Sequence, residues 1–146
     1  MRAVIFDLDH TLFGADGVLH DGTAELLVIL RRLGVKVAGL SSADHRVLVR
    51  LDEAGIRDHF DHVLCADQTL EPKGMSGLHH LLANLEVEAE NAIMVSRAHA
   101  DILLAKEAQL AKAIGITPHL HDSAPLKDAG ADHIIENIPS VLDVLE

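Results

Sequence analysis

The chain has 146 residues, 49% of them hydrophobic, which is the size and apolar content of one ordinary domain with a substantial core. Only 2% are aromatic, with no Trp or Tyr, so the core is built from Val, Ile, Leu and Ala, and base-stacking recognition of single strands is argued against. A net charge of −11, spread without long acidic runs, repels phosphate backbones and anionic membranes, so neither nucleic acid nor membrane is an expected partner.

The run "AVIFDL" (Ala3 to Leu8) reads as a fully buried first strand. "FGADGVLHDG" follows, with two glycine-containing turns around Val18 and Leu19, a tight excursion or small hairpin too short for a domain. Thr23 to Leu33 places Leu26, Leu27, Leu30 and Leu33 on one face and stops at Gly34, an amphipathic helix. "VKVAGL" (Val35 to Leu40) is the second strand, and Ser42 is expected to cap a helix from about Ala43 to Ala54, closed by Gly55. "HVLCA" gives a third strand, Met75 to Leu85 a helix, Ala92 to Ser96 a fourth strand, Ala98 to Leu110 a helix, and Lys112 to Ile116 a fifth strand. The tail adds a short helix around Ala124 to Ala129, a strand "HIIE", and a final helix from Pro139.

Strands alternating with helices predict a parallel sheet of five to six strands covered on both faces, one doubly wound, Rossmann-like α/β domain spanning residues 1–146. Cys65, the single cysteine, lies in an apolar run and reads as a buried reduced thiol. Met1 leads straight into a strand pattern and no apolar run approaches membrane-span length, so a cytoplasmic protein is expected. His79-His80 and His119-x-His121 lack helix-face spacing or a nearby Cys, and read as surface histidines rather than metal ligands.

In a doubly wound fold ligands sit beyond the carboxyl ends of the strands, where the strand order switches. The first strand ends in Asp7-Leu8-Asp9, whose two carboxylates point to the same side of an extended chain. Such a pair repels, which tends to keep one member protonated, and can divide labour between nucleophile and general acid/base; a solvated turn is the plain alternative. The second strand ends in Ser41-Ser42, hydroxyl donors beside a helix start that favours anions. Lys73 lies just before a helix, where a cation works against the helix dipole, and the fourth strand ends in Ser96-Arg97 with Asp101 one turn on. Together these groups suit a phosphate monoester.

With these residues assembled, the chain resembles the haloacid dehalogenase (HAD)-like hydrolase superfamily, most of whose members are magnesium-dependent phosphatases working through a phosphoaspartate. "AVIFDLDHTLF" is the most specific of four motifs recurring in order over the whole chain. The resemblance implies that Asp7 is the nucleophile and Asp9 the acid/base, with the Asp9 backbone carbonyl offered to Mg²⁺. It implies that Ser41, with Ser42, holds the transferring phosphoryl group, and that Lys73 stabilises nucleophile and phosphoryl charge. His10 stands where such proteins often have Gly, and Gln109 where they commonly close a helix with Ala-Gly. The intervals between motifs leave no room for a large cap, which implies an open site suited to a phosphorylated small molecule or a large substrate, or to a lid from a neighbouring subunit of a homo-oligomer.

The fourth motif departs from the family pattern. Relatives usually have Gly-Asp-x-x-x-Asp; here the frame reads "SRAHAD", so Asp101 is kept and Arg97 stands at the position of a direct metal ligand. A guanidinium cannot coordinate and repels a dication, so Mg²⁺, if held by Asp7, Asp9 and Asp101, is expected to bind weakly or not at all. If Arg97 turns inward, it joins Lys73 against the three carboxylates and balances the site without an ion, clamping phosphate or quenching Asp7. The leading expectation is a phosphomonoester phosphatase with weakened magnesium dependence. The alternatives are a catalytically weak or inactive relative that binds a phosphorylated ligand or protein partner, and, less favoured, a metal-independent dehalogenase.

Overall fold

The computed structural model describes residues 2–67 and 71–145, so Met1 and Leu70 lie outside the described residues. Six parallel strands form one sheet: β1 (Ala3–Asp7), β2 (Lys36–Leu40), β3 (His62–Leu64), β4 (Ala92–Ser96), β5 (Lys112–Ile116) and β6 (His133–Ile135). Their order is β3-β2-β1-β4-β5-β6, which puts β1 at the centre and the switch in order between β1 and β4. The helices are α1 (Thr23–Arg32), α2 (Arg46–Glu53), α3 (Met75–Leu85), α4 (His99–Glu107) and α5 (Ala124–Asp128).

Side chains alternate across the sheet, and each strand is apolar on both faces, so two cores form. Val4, Phe6, Val37, Val95 and Ile114 pack with Leu26, Leu27 and Leu30 of α1 and with Val47 and Leu51 of α2. Ala3, Ile5, Ala38 and Met94 pack on the opposite face with Leu78, Leu81 and Leu85 of α3 and Ile102 of α4. The strands carry small Ala and Gly residues on this second face, which lets helices sit close without aromatic filling.

The excursion after β1 is a small antiparallel turn held by one bridge between Phe13 and Leu19 and a Gly14–Val18 backbone hydrogen bond of 2.9 Å. Three expectations need correction. Leu33 is 58% exposed, because α1 ends at Arg32 and Leu33 is already its C-cap. The helix expected from Ala43 begins at Arg46, and Ser42 does not cap it. The helix expected from Pro139 is a 3₁₀ helix, Ile138–Val144, entered through Asn137, whose side chain accepts from the Ser140 N–H. Cys65 is buried, and His79, His80, His119 and His121 are exposed. No helix among the described residues is long and apolar enough to cross a membrane.

Gln109 takes a left-handed φ of 60° just beyond α4, the conformation that glycine adopts without a Cβ clash. Gln109→Gly is therefore expected to raise stability by about 0.5 kcal/mol, after glycine's extra freedom in the unfolded chain is discounted. The urea midpoint checks this, and a lower midpoint would show that the Gln side chain contributes more than its backbone costs.

Candidate active site

β1 ends on Asp7, which is fully buried. Register pairs Asp7 with Leu40 and Phe6 with Val95, so the next residues of β2 and β4, Ser41 and Ser96, arrive beside it. Asp7 is in phase with Ala3 and Ile5 and so faces the α3–α4 side of the sheet. Lys73, before α3, and Asp101, in the first turn of α4, approach from that same side. The loop carrying Lys73 lies directly on α3: a Cβ on Gly77 would come within 2.4 Å of the Pro72 carbonyl oxygen, so only glycine permits the approach.

The Lys73 Nζ lies 2.6 Å from Asp7 Oδ1, 2.9 Å from Asp9 Oδ2 and 3.5 Å from Asp101 Oδ2. One ammonium thus serves three carboxylates. Asp7 also accepts from the Asp9 N–H at 3.0 Å and from the Thr11 hydroxyl at 3.2 Å. The Ser96 hydroxyl stands 2.8 Å from Asp101 Oδ2 and 3.3 Å from Asp7 Oδ2; with a single proton it donates to the nearer, Asp101. It accepts from the Ala98 N–H at 3.0 Å, which fixes the turn into α4.

Asp9 is turned toward β2. Its Oδ1 accepts from the Ser41 hydroxyl at 2.5 Å, and its Oδ2 from the Ser42 N–H at 3.0 Å and the Ser42 hydroxyl at 2.7 Å. Ser42 is thus turned toward Asp9, and the helix that follows starts only at Arg46, beyond the reach of its oxygen as a cap. The donors named from the strand ends, Ser41, Ser42 and Lys73, therefore converge on one carboxylate.

Burial pushes the Asp9 carboxyl up, but the hydrogen bonds from Ser41, Ser42 and Lys73 outweigh it and hold Asp9 far below the usual carboxylate range. Burial pushes Lys73 down, but its hydrogen bond to Asp7 and the charges of Asp7 and Asp101 keep it well above the ordinary lysine value. Asp101 is raised, chiefly by burial, with Lys73 and Ser96 pulling it back only in part. Of these two carboxyls Asp101 is thus the one whose proton affinity is raised, because its burial outweighs its share of Lys73 and the Ser96 hydrogen bond.

Arg97 does not enter this cluster. Its residue is exposed, its Nη1 is 3.4 Å from the His10 carbonyl oxygen, and it forms no ion pair among the described residues. The condition for a charge-balanced site, an inward Arg97, is not met. Instead Arg97 lines a neighbouring cleft with Thr11, His20, Asp21, Ile116, Pro118, Glu136, Asn137 and Ile138. Thr11 and Ser96, without an assigned role in the sequence reading, both bond the central carboxylates; the i,i+4 spacing of Thr11 from Asp7 was the available signal.

The donor set is a poor fit for magnesium. Asp7 and Asp101 are joined through Ser96 and Lys73, the usual third acid is Arg97, and no group of three or more His, Cys, Asp or Glu among the described residues is arranged to hold a metal ion.

The family model described as haloacid dehalogenase-like hydrolase matches residues 12–109. A Dickeya dadantii protein named "Probable phosphatase IndB" is 33% identical over 132 residues, taking in 88% of this chain and 56% of that protein, so the chain spans little more than half of it. Among solved structures, a HAD phosphatase from Thermococcus onnurineus superposes with a TM-score of 0.88 at 17% identity, covering 99% of this chain and 98% of that one. A haloacid dehalogenase-like family hydrolase from Streptococcus pneumoniae superposes with a TM-score of 0.83 at 16% identity, covering 100% and 99%. The fold and the family match agree: this chain belongs to the haloacid dehalogenase-like hydrolases.

Proposed function

We propose that the chain is a phosphomonoester hydrolase that works through an aspartyl-phosphate on Asp7. The observation that carries this reading is the cradle beside Asp7: two serine hydroxyls, a backbone N–H and the Lys73 ammonium converge on a single anionic group. That group is the Asp9 carboxylate, and a phosphoryl group presents the same acceptor chemistry with more oxygens and more charge. Substrate entry therefore displaces Asp9 from the serines.

Release changes what Asp9 can do. While seated it is held ionised and has no proton to give. Once the serines and Lys73 turn to the phosphoryl oxygens, the lowering influences are gone, its proton affinity rises, and it can act as acid/base. Asp9 takes up a proton from solvent, an Asp7 oxygen attacks phosphorus, the ester P–O bond breaks, and the leaving oxygen takes that proton from Asp9. In the second half Asp9 removes a proton from water, the hydroxide attacks phosphorus, and inorganic phosphate leaves with Asp7 restored. Lys73 stabilises the charge on the attacking carboxylate and the equatorial oxygens throughout.

Magnesium, where bound, would supply further charge stabilisation at Asp7 and Asp101. Weak binding follows from Arg97, which cannot ligate. A cytoplasmic setting and a phosphorylated small molecule as substrate belong to the same reading.

Phosphate release from an aryl phosphate by the wild type, with acid-quench trapping of the phosphoenzyme, tests it. Release without an acid-stable, Asp7-dependent phosphoenzyme would replace this mechanism, and no release on a broad panel of monoesters would leave a phosphate-binding protein. Arg97→Asp removes a cation and adds a fourth carboxylate at the position of the family's metal ligand, and is expected to tighten Mg²⁺ binding by about tenfold and to make turnover magnesium-responsive. Calorimetric titration with Mg²⁺ reads this; an unchanged isotherm would mean that the new carboxylate, like Arg97, stays outside the cluster.

A further inference from the structure

The cleft beside the carboxylate cluster has a volume of about 270 Å³, room for roughly nine water-sized groups. It follows the carboxyl ends of successive strands: Thr11 after β1, Arg97 after β4, Ile116 and Pro118 at β5, and Glu136 to Ile138 at β6. Thr11 joins it to the cluster, since its hydroxyl bonds Asp7. Its floor is apolar, from Ile116 and Ile138, and both belong to the core on the α1 face.

Arg97 is the one Lys or Arg among the described residues lining the cleft, whereas Lys73 is held inside the carboxylate cluster. Its guanidinium rests against the carbonyl of His10, the residue next to Asp9, and has no carboxylate partner among the described residues. Strand ends are about 4.8 Å apart, so Arg97 stands one spacing from Asp7, whereas Glu136, after β6, stands about 10 Å further along the cleft. Any second negative charge on a substrate faces Asp7, Asp9 and Asp101 with only Lys73 to offset them, and it would be repelled without Arg97.

We propose that this cleft receives the leaving group and that Arg97 selects short phosphomonoesters carrying a carboxylate a few bonds from the ester oxygen. A planar fork of donors suits a carboxylate in two-point contact. Asp21 and Glu136 on the remaining wall set the length: an extended polyanion would reach them and be rejected, while a short acid stops at Arg97. The inference rests on the phosphatase reading for its chemistry but on the cleft for its selectivity.

The test uses a matched pair, 3-phosphooxypropanoate and its amide, with wild type, Arg97→Gln and Arg97→Lys. The wild type is expected to prefer the acid in kcat/KM by about tenfold, with the difference in KM, and Arg97→Gln to bring the ratio to about one. Arg97→Lys restores it in part. Turnover of both esters with no preference, or a preference that survives in Arg97→Gln, overturns the assignment. Calorimetry with the corresponding phosphonates, which cannot be hydrolysed, gives a second reading independent of turnover. Tighter binding of the acid phosphonate by wild type alone would uphold Arg97 as the anchor even if hydrolysis failed, and equal binding of the pair would remove it.

Discussion

Replacing Asp7 by Asn is expected to lower phosphate release from an aryl phosphate by at least about 10³-fold and leave the protein folded. The rate falls because an amide oxygen is a poor nucleophile and no other carboxylate can take its place: Asp9 is turned to Ser41 and Ser42, and Asp101 lies across the Ser96 hydroxyl. The fold survives because the amide satisfies the same neighbours. Its oxygen accepts from Lys73, and its NH₂ donates to the Thr11 and Ser96 hydroxyls, which can turn to accept. Residual activity reports the cradle alone. The measurement is steady-state release together with a thermal melt; a kcat within tenfold of wild type, on a folded variant, would remove Asp7 from the mechanism.

Lys73→Met should produce the largest loss of stability of any single change at the site, about 3 kcal/mol at neutral pH, because it removes the only ammonium that the described residues place among three carboxylates, one of them fully buried. For a chain of this length that corresponds to a melting temperature lower by roughly 10 °C. The sign with pH follows from the shifts. Lys73 is raised in the folded state, so its contribution is fully present below the ordinary lysine value and is lost only in strong alkali. In the variant the deficit comes from uncompensated carboxylates, so it shrinks as acid protonates them, and Asp101, raised by its burial, contributes to that closing. Melts at pH 7 and pH 4 should show the gap between wild type and variant closing on the acid side. A gap that is small at neutral pH, or the same at both, would mean that water rather than Lys73 stabilises these charges.

Most of the fold was legible because apolar strands and amphipathic helices differ in period and length. β4 and β5 and α3 have the bounds read from the chain. The errors lie at ends where polar side chains compete for partners. Ser42 has the chemistry of an N-cap, but its N–H and hydroxyl are turned to Asp9 and the helix starts later, at Arg46. The last segment has proline at a first-turn position, yet the chain there follows the short span from β6 back to α1 and tightens into a 3₁₀ helix. At the site, the acids, serines and Lys73 are recognisable from strand ends, whereas Thr11 is marked only by its spacing of four residues from Asp7, which gains meaning once the chain turns back after β1.

By itself the sequence determined the alternation of strands and helices, the family, and which acids, hydroxyls and cations stand at strand ends, because these depend on residue type and spacing along one chain. Only the tertiary structure decided which of them meet. Parallel register brings Ser41 and Ser96 beside Asp7, and the helices on one face bring Lys73 and Asp101. At the end of β4, Ser96 turns to that same face, while Arg97 lies against the His10 carbonyl in the cleft floored by Ile116 and Ile138. The guanidinium that the sequence left poised between replacing a metal and quenching a nucleophile lies outside the cluster that Ser96 enters, against the His10 carbonyl.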